Sequence, residues 1–236
     1  MLTVKSGRFI QNNVVIMEDI ECGFKSGEFW GIIGQNGIGK STLLDALSGL
    51  SNQYQGSICI DQTPVHTLDP VTRARKISYL LQEQEPSLAF KVSEAVAMGR
   101  FPWLTSKTED KQITEDILSL CRINHLKDRN ILQLSGGERR KVEIATCLAQ
   151  QADYLLLDEP LNHLDLVYKN HIMQVFKQYS QEHAVVMVCH DIEVVKNYCS
   201  HVLMVLGKDC YIAGTSATIL TKQNLQRLFN DSSQLN

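Results

Sequence analysis

The chain is short of several things, and each shortage removes a class of explanation. It has no basic excess: 23 Lys and Arg stand against 26 Asp and Glu, a formal charge of −3. A protein that covers a nucleic acid needs a basic face, so no nucleic-acid partner is expected. It has no long apolar run. Stretches such as YLLLD and AVVMVC fall far below the roughly 20 residues that cross a bilayer. The N-terminus, MLTVKSGRFIQNN, has no apolar core segment, so no signal peptide is expected. The seven cysteines, at 22, 59, 121, 147, 189, 199 and 210, contain no CxxC pair, and their number is odd. Most lie in apolar surroundings and read as reduced core residues of a cytosolic protein. Neither they nor the scattered histidines have zinc-ligand spacing. Internal repeats and low-complexity blocks are absent as well.

What is present suits a globular fold. Hydrophobic residues make up 44% and charged residues 21% of 236 positions, enough to bury a core without disulfides. FWGIIG (29–34) is an apolar run ending in glycine, as a buried strand would be. In the following KSTLLDALSGL, Leu43, Leu44, Leu47 and Leu50 fall at helical spacing, and Gly49 is a plausible stop. GSICID (56–61) and ISYLL (77–81) read as further strands. From about 83 to 148 the pattern is helical, with Ile113, Ile117 and Leu120 on one face and Cys121 beside them. Strands return at YLLLD (154–158) and AVVMVC (184–189), separated by the helical DLVYKNHIMQVFKQYSQ. HVLMVLGKDCYIAG reads as a hairpin turning at Gly207-Lys208. Near-continuous apolar strands predict a mostly parallel sheet covered on both faces. The fold class is therefore α/β, with a core over 1–82 and 149–230, a helical insert over 83–148 and a frayed polar tail over 231–236.

GQNGIGKST (34–42) carries the first chemistry. It matches GxxxxGK[ST], preceded by a predicted strand and followed by a predicted helix. The glycines let backbone N–H groups turn toward phosphates, and the helix presents its positive end to them. Gly34, Asn36, Gly37, Gly39, Lys40, Ser41 and Thr42 form the nucleotide-binding set. Lys40 would reach the terminal phosphates and the Ser41 hydroxyl would ligate Mg²⁺. YLLLDEP ends a strand in two acids: Asp158 suits the Mg²⁺ shell and Glu159 suits an attacking water. On its own this segment also reads as a strand followed by an acidic turn. LSGGE (134–138) opens a helix with a serine and two glycines, either an ordinary capped helix or a second anion cradle.

Glycine loop, LSGGE, YLLLDE and VCHD, in this order and spacing, resemble the ATP-binding subunit of ABC transporters over essentially the whole chain. The resemblance implies a P-loop NTPase core with an N-terminal antiparallel β portion and an inserted helical subdomain. It implies ATP and Mg²⁺ as ligands, and a head-to-tail homodimer in which Ser135, Gly136 and Gly137 serve the partner's γ-phosphate. Gln82 then matches the glutamine that approaches Mg²⁺ and senses the permease, His190 the switch histidine, and Asp165 the aspartate that couples the two sites. Three positions depart from the family pattern. Ile38 stands where a small residue is common, Asn162-His163 replaces a small pair, and no tyrosine sits where the adenine-stacking ring is expected. Phe9 is the nearest ring, although it equally reads as an ordinary strand residue.

VSEAVAMGRFPWL (92–104) and LTKQNLQRLF further resemble importer ATPases for iron-siderophore, haem and cobalamin uptake. Phe101, Pro102 and Trp103 alternatively pack the insert. The importer resemblance implies transmembrane permease subunits, a separate substrate-binding protein and a peripheral place on the cytoplasmic face of the inner or plasma membrane. The competing expectations are a soluble ABC ATPase of iron-sulfur cluster assembly and a scaffold with little turnover. The intact Glu159 and His190 speak against the scaffold.

Overall fold

Strand polarity and burial divide the chain into two sheets in the computed structural model, which describes residues 1–11, 14–82, 89–103 and 105–230. The insert boundary expected at 83 and the tail 231–236 lie outside the described residues. The first sheet is antiparallel. β1 (Leu2–Gln11) pairs with β2 (Val14–Phe24) on one side and β4 (Tyr54–Ile60) on the other. The short β5 (Thr63–Pro64) completes the order β2-β1-β4-β5.

The second sheet has the order β10-β9-β3-β8-β7-β6. β3 (Phe29–Gly34), β6 (Ile77–Leu80), β7 (Tyr154–Asp158), β8 (Ala184–Val188) and β9 (His201–Gly207) run parallel. Only β10 (Cys210–Thr215) is antiparallel, closing the expected hairpin with β9 through Lys208 and Asp209. Every residue of β7 and β8 is buried. Side-chain parity splits them between two cores: Leu155, Leu157, Val185 and Met187 face one, Leu156, Val186 and Val188 the other. Both faces being covered is the reason these strands read as unbroken apolar runs.

α1 (Lys40–Leu47) lies between the two sheets, where Leu43, Leu44 and Leu47 are completely buried. It stops at Gly49, whose φ of 73° is the left-handed ending expected of glycine. α2 (Pro70–Lys76) is capped by Asp69, which accepts from the N–H groups of Val71 and Thr72. α3 (Val92–Met98), α4 (Lys107–Leu120) and α5 (Gly136–Ala149) build the helical part. α6 (Leu166–Tyr179), α7 (Ile192–Tyr198), α8 (Ser216–Ile219) and α9 (Lys222–Asn230) follow the later strands.

The apolar face expected on α4 is displaced by one position. Thr114, Leu118 and Cys121 are the buried residues, Ile117 is half-buried and Leu120 is 40% exposed. Helical periodicity identifies a stripe but not its edge, and Thr114 is admitted because its hydroxyl donates to the Asp110 carbonyl at 2.7 Å. Arg100 and Trp103 fasten the segment after α3 to α4 and to the end of α5. Arg100 donates to Asp110, the Ala149 carbonyl and Gln151, and Trp103 Nε1 donates to the Gln150 carbonyl. Phe101 between them is 70% exposed. All seven thiols are free. Among the described residues, no helix is long and apolar enough to cross a membrane.

Candidate functional site

The loop from Gly34 to Lys40 joins β3 to α1, and backbone chemistry dictates its residues. Gly39 has φ 101°, which L side chains rarely adopt, and a Cβ there would stand 2.4 Å from Ile16 Cδ1. Ile38, the odd residue of the motif, is half-buried against the core beneath the loop and lies close to Gly34. Its bulk is turned inward, so the cradle keeps its shape. α1 then aims its N-terminus back across the loop.

These residues open onto a cavity of about 510 Å³. Asn36, Gly37, Gly39, Lys40, Ser41 and Thr42 form one wall; Gln82, Glu159 and His190 form the other. They arrive there from four parallel strands: the loop after β3, Gln82 after β6, Glu159 after β7 and His190 after β8. Sites at the carboxyl ends of parallel strands are the rule for open α/β sheets.

Lys40 is only 6% exposed and is held by its own loop, donating to the carbonyls of Gly34 (3.0 Å) and Gln35 (2.7 Å). Burial lowers its pKa, while the charges of Glu159 and Asp158 oppose that fall. Asp158 is 1% exposed. Burial raises its pKa, partly offset by a hydrogen bond from Ser41. Its Oδ1 has no hydrogen-bond partner in the described residues. A buried carboxylate oxygen left unpaired beside a hydroxyl is costly in isolation and natural beside a cation.

Glu159 adopts φ 46°, a left-handed conformation that a non-glycine residue keeps only under constraint. Both carboxylate oxygens are engaged. His190 Nε2 donates to Oε1 at 2.7 Å and Asn162 Nδ2 donates to Oε2 at 2.8 Å. Burial would raise the Glu159 pKa, but these two bonds and the charge of Lys40 outweigh it, so the group is held ionised.

LSGGE does not belong to this cavity. Ser135, Gly136, Gly137 and Asp165 are all absent from its lining. Ser135 caps α5: its Oγ accepts from the Glu138 N–H, and Glu138 accepts from the Ser135 N–H at 2.9 Å. The two glycines differ. A Cβ on Gly136 would meet nothing within 4 Å, whereas one on Gly137 would stand 2.7 Å from the His163 carbonyl oxygen. Asp165 caps α6 by accepting from the Tyr168 N–H at 2.8 Å.

Phe9 corrects the sequence reading. It is completely buried, its ring 6.3 Å from that of Tyr54, and offers no face for stacking. The residue of β1 that does reach the cavity is Gln11. Gln11 stands two residues further along, at the end of β1, where the core that buries Phe9 gives way to the cavity. Asn162 was read only as an unusual substitution; its contact with Glu159 follows from the left-handed turn, which no sequence pattern signals.

A family model described as ABC transporter matches residues 17–162. The hemin import ATP-binding protein of Pseudomonas entomophila is 32% identical over 235 residues, covering 97% of this chain and 92% of that protein. The petrobactin import ATP-binding protein of Bacillus anthracis is 31% identical, covering 97% and 86%. Among solved structures, an inward-facing metal-chelate type ABC transporter aligns with TM-score 0.81 at 29% identity, covering 97% of this chain and 88% of that one. A dimeric ATP-binding cassette in a post-hydrolysis state with ADP and phosphate aligns with TM-score 0.80 at 25% identity, covering 92% and 99%. The glycine loop, the paired acids and these likenesses agree: the chain belongs to the ABC transporter family, as an ATP-binding subunit with ATPase activity.

Proposed function

We propose that the chain powers an importer of a metal chelate, a haem or a ferric siderophore, through a separate membrane permease. The observation that carries the mechanism is the division of the site. The phosphate cradle and the LSGGE loop share one chain, yet no LSGGE residue lines the cradle's cavity; a second copy of the chain would bring the two together. The cargo class is supported by the hemin and petrobactin import relatives and the metal-chelate transporter likeness.

In this reading two chains pair head to tail. Lys40 leaves the Gly34 and Gln35 carbonyls for the β- and γ-phosphates of ATP. Ser41 and Asp158, with Gln82 nearby, offer oxygen donors that fit Mg²⁺, a hard cation. Mg²⁺ bound there would neutralise charge developing on the transferred phosphoryl group. Glu159, held ionised, orients the water for in-line attack, and His190 fixes its carboxylate. Ser135, Gly136 and Gly137 of one copy face the γ-phosphate held by the other, and Asp165 couples the two sites. Gln82 and the helical part carry the movement to the permease. Phe101, Leu120 and Leu132 are exposed apolar residues of that region, Phe101 the most exposed of the three. The subunit then rests on the cytoplasmic face of the membrane, and a binding protein delivers cargo from the opposite side.

Two measurements test this. Glu159→Gln should retain ATP, cease hydrolysis and accumulate a dimer on gel filtration; undiminished hydrolysis would remove Glu159 from its role. Cells lacking the gene should lose uptake of hemin or a ferric siderophore, and the tagged chain should co-purify with a permease from solubilised membranes. Unaltered uptake of both, with the chain found only among soluble cluster-assembly partners, would sink the importer reading.

A further inference from the structure

Arg140 sits one turn into α5 and is 3% exposed. A buried guanidinium needs acceptors for its N–H donors. Here most acceptors are main-chain carbonyls of other elements. Nη1 donates to the Leu81 carbonyl at 2.8 Å and to Glu143 Oε2 at 3.0 Å. Nη2 donates to the carbonyls of Asp158 at 2.7 Å and Glu159 at 3.0 Å, and Nε to that of Pro160 at 3.4 Å. One side chain thus grips the residue before Gln82 and three consecutive carbonyls at the end of β7.

The turn it grips is the strained one. Glu159 is left-handed, with φ 46°, and its carboxylate direction follows from that backbone. Such a conformation persists only when its surroundings over-determine it. Arg140 supplies the main-chain constraint, while Asn162 and His190 supply the side-chain constraint. An apolar side chain could fill the same volume but would leave the carbonyls without this donor.

We propose that Arg140 is a positioning residue for ATP hydrolysis: it aims the Glu159 carboxylate into the nucleotide cavity and makes that aim depend on the placement of α5. The proposal rests on the reading of Glu159 as the group that orients water. Its consequence is a direct link from the LSGGE loop, at the head of α5, to the carboxylate that must act when that loop is engaged. The same guanidinium reaches the strand end that leads into Gln82, so three parts of the site share one anchor.

The test compares Arg140→Met and Arg140→Lys with Glu159→Gln, using kcat and KM for Mg-ATP, the Kd of a fluorescent ATP analogue, and far-UV circular dichroism. Arg140→Met should lower kcat roughly tenfold or more, with Kd within about twofold, because the cradle around Lys40 is untouched. Arg140→Lys should recover part of kcat, since an ammonium reaches fewer carbonyls than a planar fork. A folded Arg140→Met variant with normal kcat overturns the proposal, as does a parallel loss of kcat and Kd. If Arg140→Met does not fold, Arg140→Lys decides: a kcat loss of roughly threefold or more at constant Kd supports the proposal, and none overturns it. Active Glu159→Gln would instead overturn the underlying reading of Glu159. Inactive Glu159→Gln beside normal Arg140→Met overturns the Arg140 proposal alone.

Discussion

The two glycines of LSGGE should respond oppositely to the same methyl group. In Gly137→Ala the new Cβ meets the His163 carbonyl oxygen at 2.7 Å, well inside ordinary contact, and that oxygen is main chain. The loop from Glu159 to Asp165 must move, and overpacking of this kind costs roughly 1–3 kcal/mol. For a chain of this size each kcal/mol lowers Tm by roughly 2–4 °C, so a fall of about 2–12 °C is expected. In Gly136→Ala the Cβ meets nothing within 4 Å, and the residue opens α5, where alanine is favoured over glycine by up to about 1 kcal/mol. Its Tm should hold or rise slightly. Hydrolysis should nevertheless fall by roughly tenfold or more, because in the pairing proposed above that open space receives the partner's γ-phosphate. Differential scanning fluorimetry and a steady-state ATPase assay decide it. Gly136→Ala hydrolysing at the parental rate would refute the placement of the phosphate there. An unchanged Tm in Gly137→Ala would refute the steric reasoning.

Phe9→Ala should destabilise the chain by roughly 3–5 kcal/mol, as deletion of a fully buried ring does, while ATP affinity of the folded protein stays constant; weaker binding at equal foldedness would restore Phe9 to the site. Lys40→Ala should abolish detectable ATP binding in a fluorescence titration without lowering Tm strongly, because only two hydrogen bonds within the loop are lost; retained affinity would contradict its assignment. Burial pushes the Cys147 and Cys189 thiols up from 9.0 to about 11. The folded state therefore keeps protons that the unfolded state releases above pH 9, so stability should decline with rising pH between about 9 and 11. Urea midpoints that stay constant over that range would show these thiols do not contribute.

Much of this was legible because the informative residues are constrained locally. Glycine loop, strand and helix are contiguous, so GQNGIGKST could be read as a cradle without the rest of the chain. The parallel sheet was legible from YLLLD and AVVMVC because burial on both faces removes polar residues from the strand. The misread positions have separate causes. Phe9 was misread because its ring is buried by packing with distant residues such as Tyr54, while Gln11, which no sequence signal marks, is the residue of β1 that lines the cavity. The α4 face slipped by one because Thr114 satisfies its own hydroxyl within the helix and so behaves as an apolar residue. Arg140 was invisible because its partners are carbonyls, which every residue possesses and no motif records.

The same geometry explains how the chain stands alone with so reactive a set of groups. Lys40 is satisfied by the carbonyls of Gly34 and Gln35, Glu159 by His190 and Asn162, and the Ser135 hydroxyl by Glu138, to which it donates at 2.8 Å. Each bond is replaceable. Binding ATP therefore exchanges internal hydrogen bonds for bonds to phosphate rather than adding new ones, and the net gain per bond is modest. Asp158 is the exception, since its buried Oδ1 has no such substitute. Among the described residues it is the buried carboxylate that stands to lose an unpaired oxygen on ligation. The metal-dependent part of nucleotide affinity should accordingly reside in Asp158: in Asp158→Asn, ATP affinity measured with and without Mg²⁺ should converge. A metal effect of parental size in that variant would place the cation elsewhere.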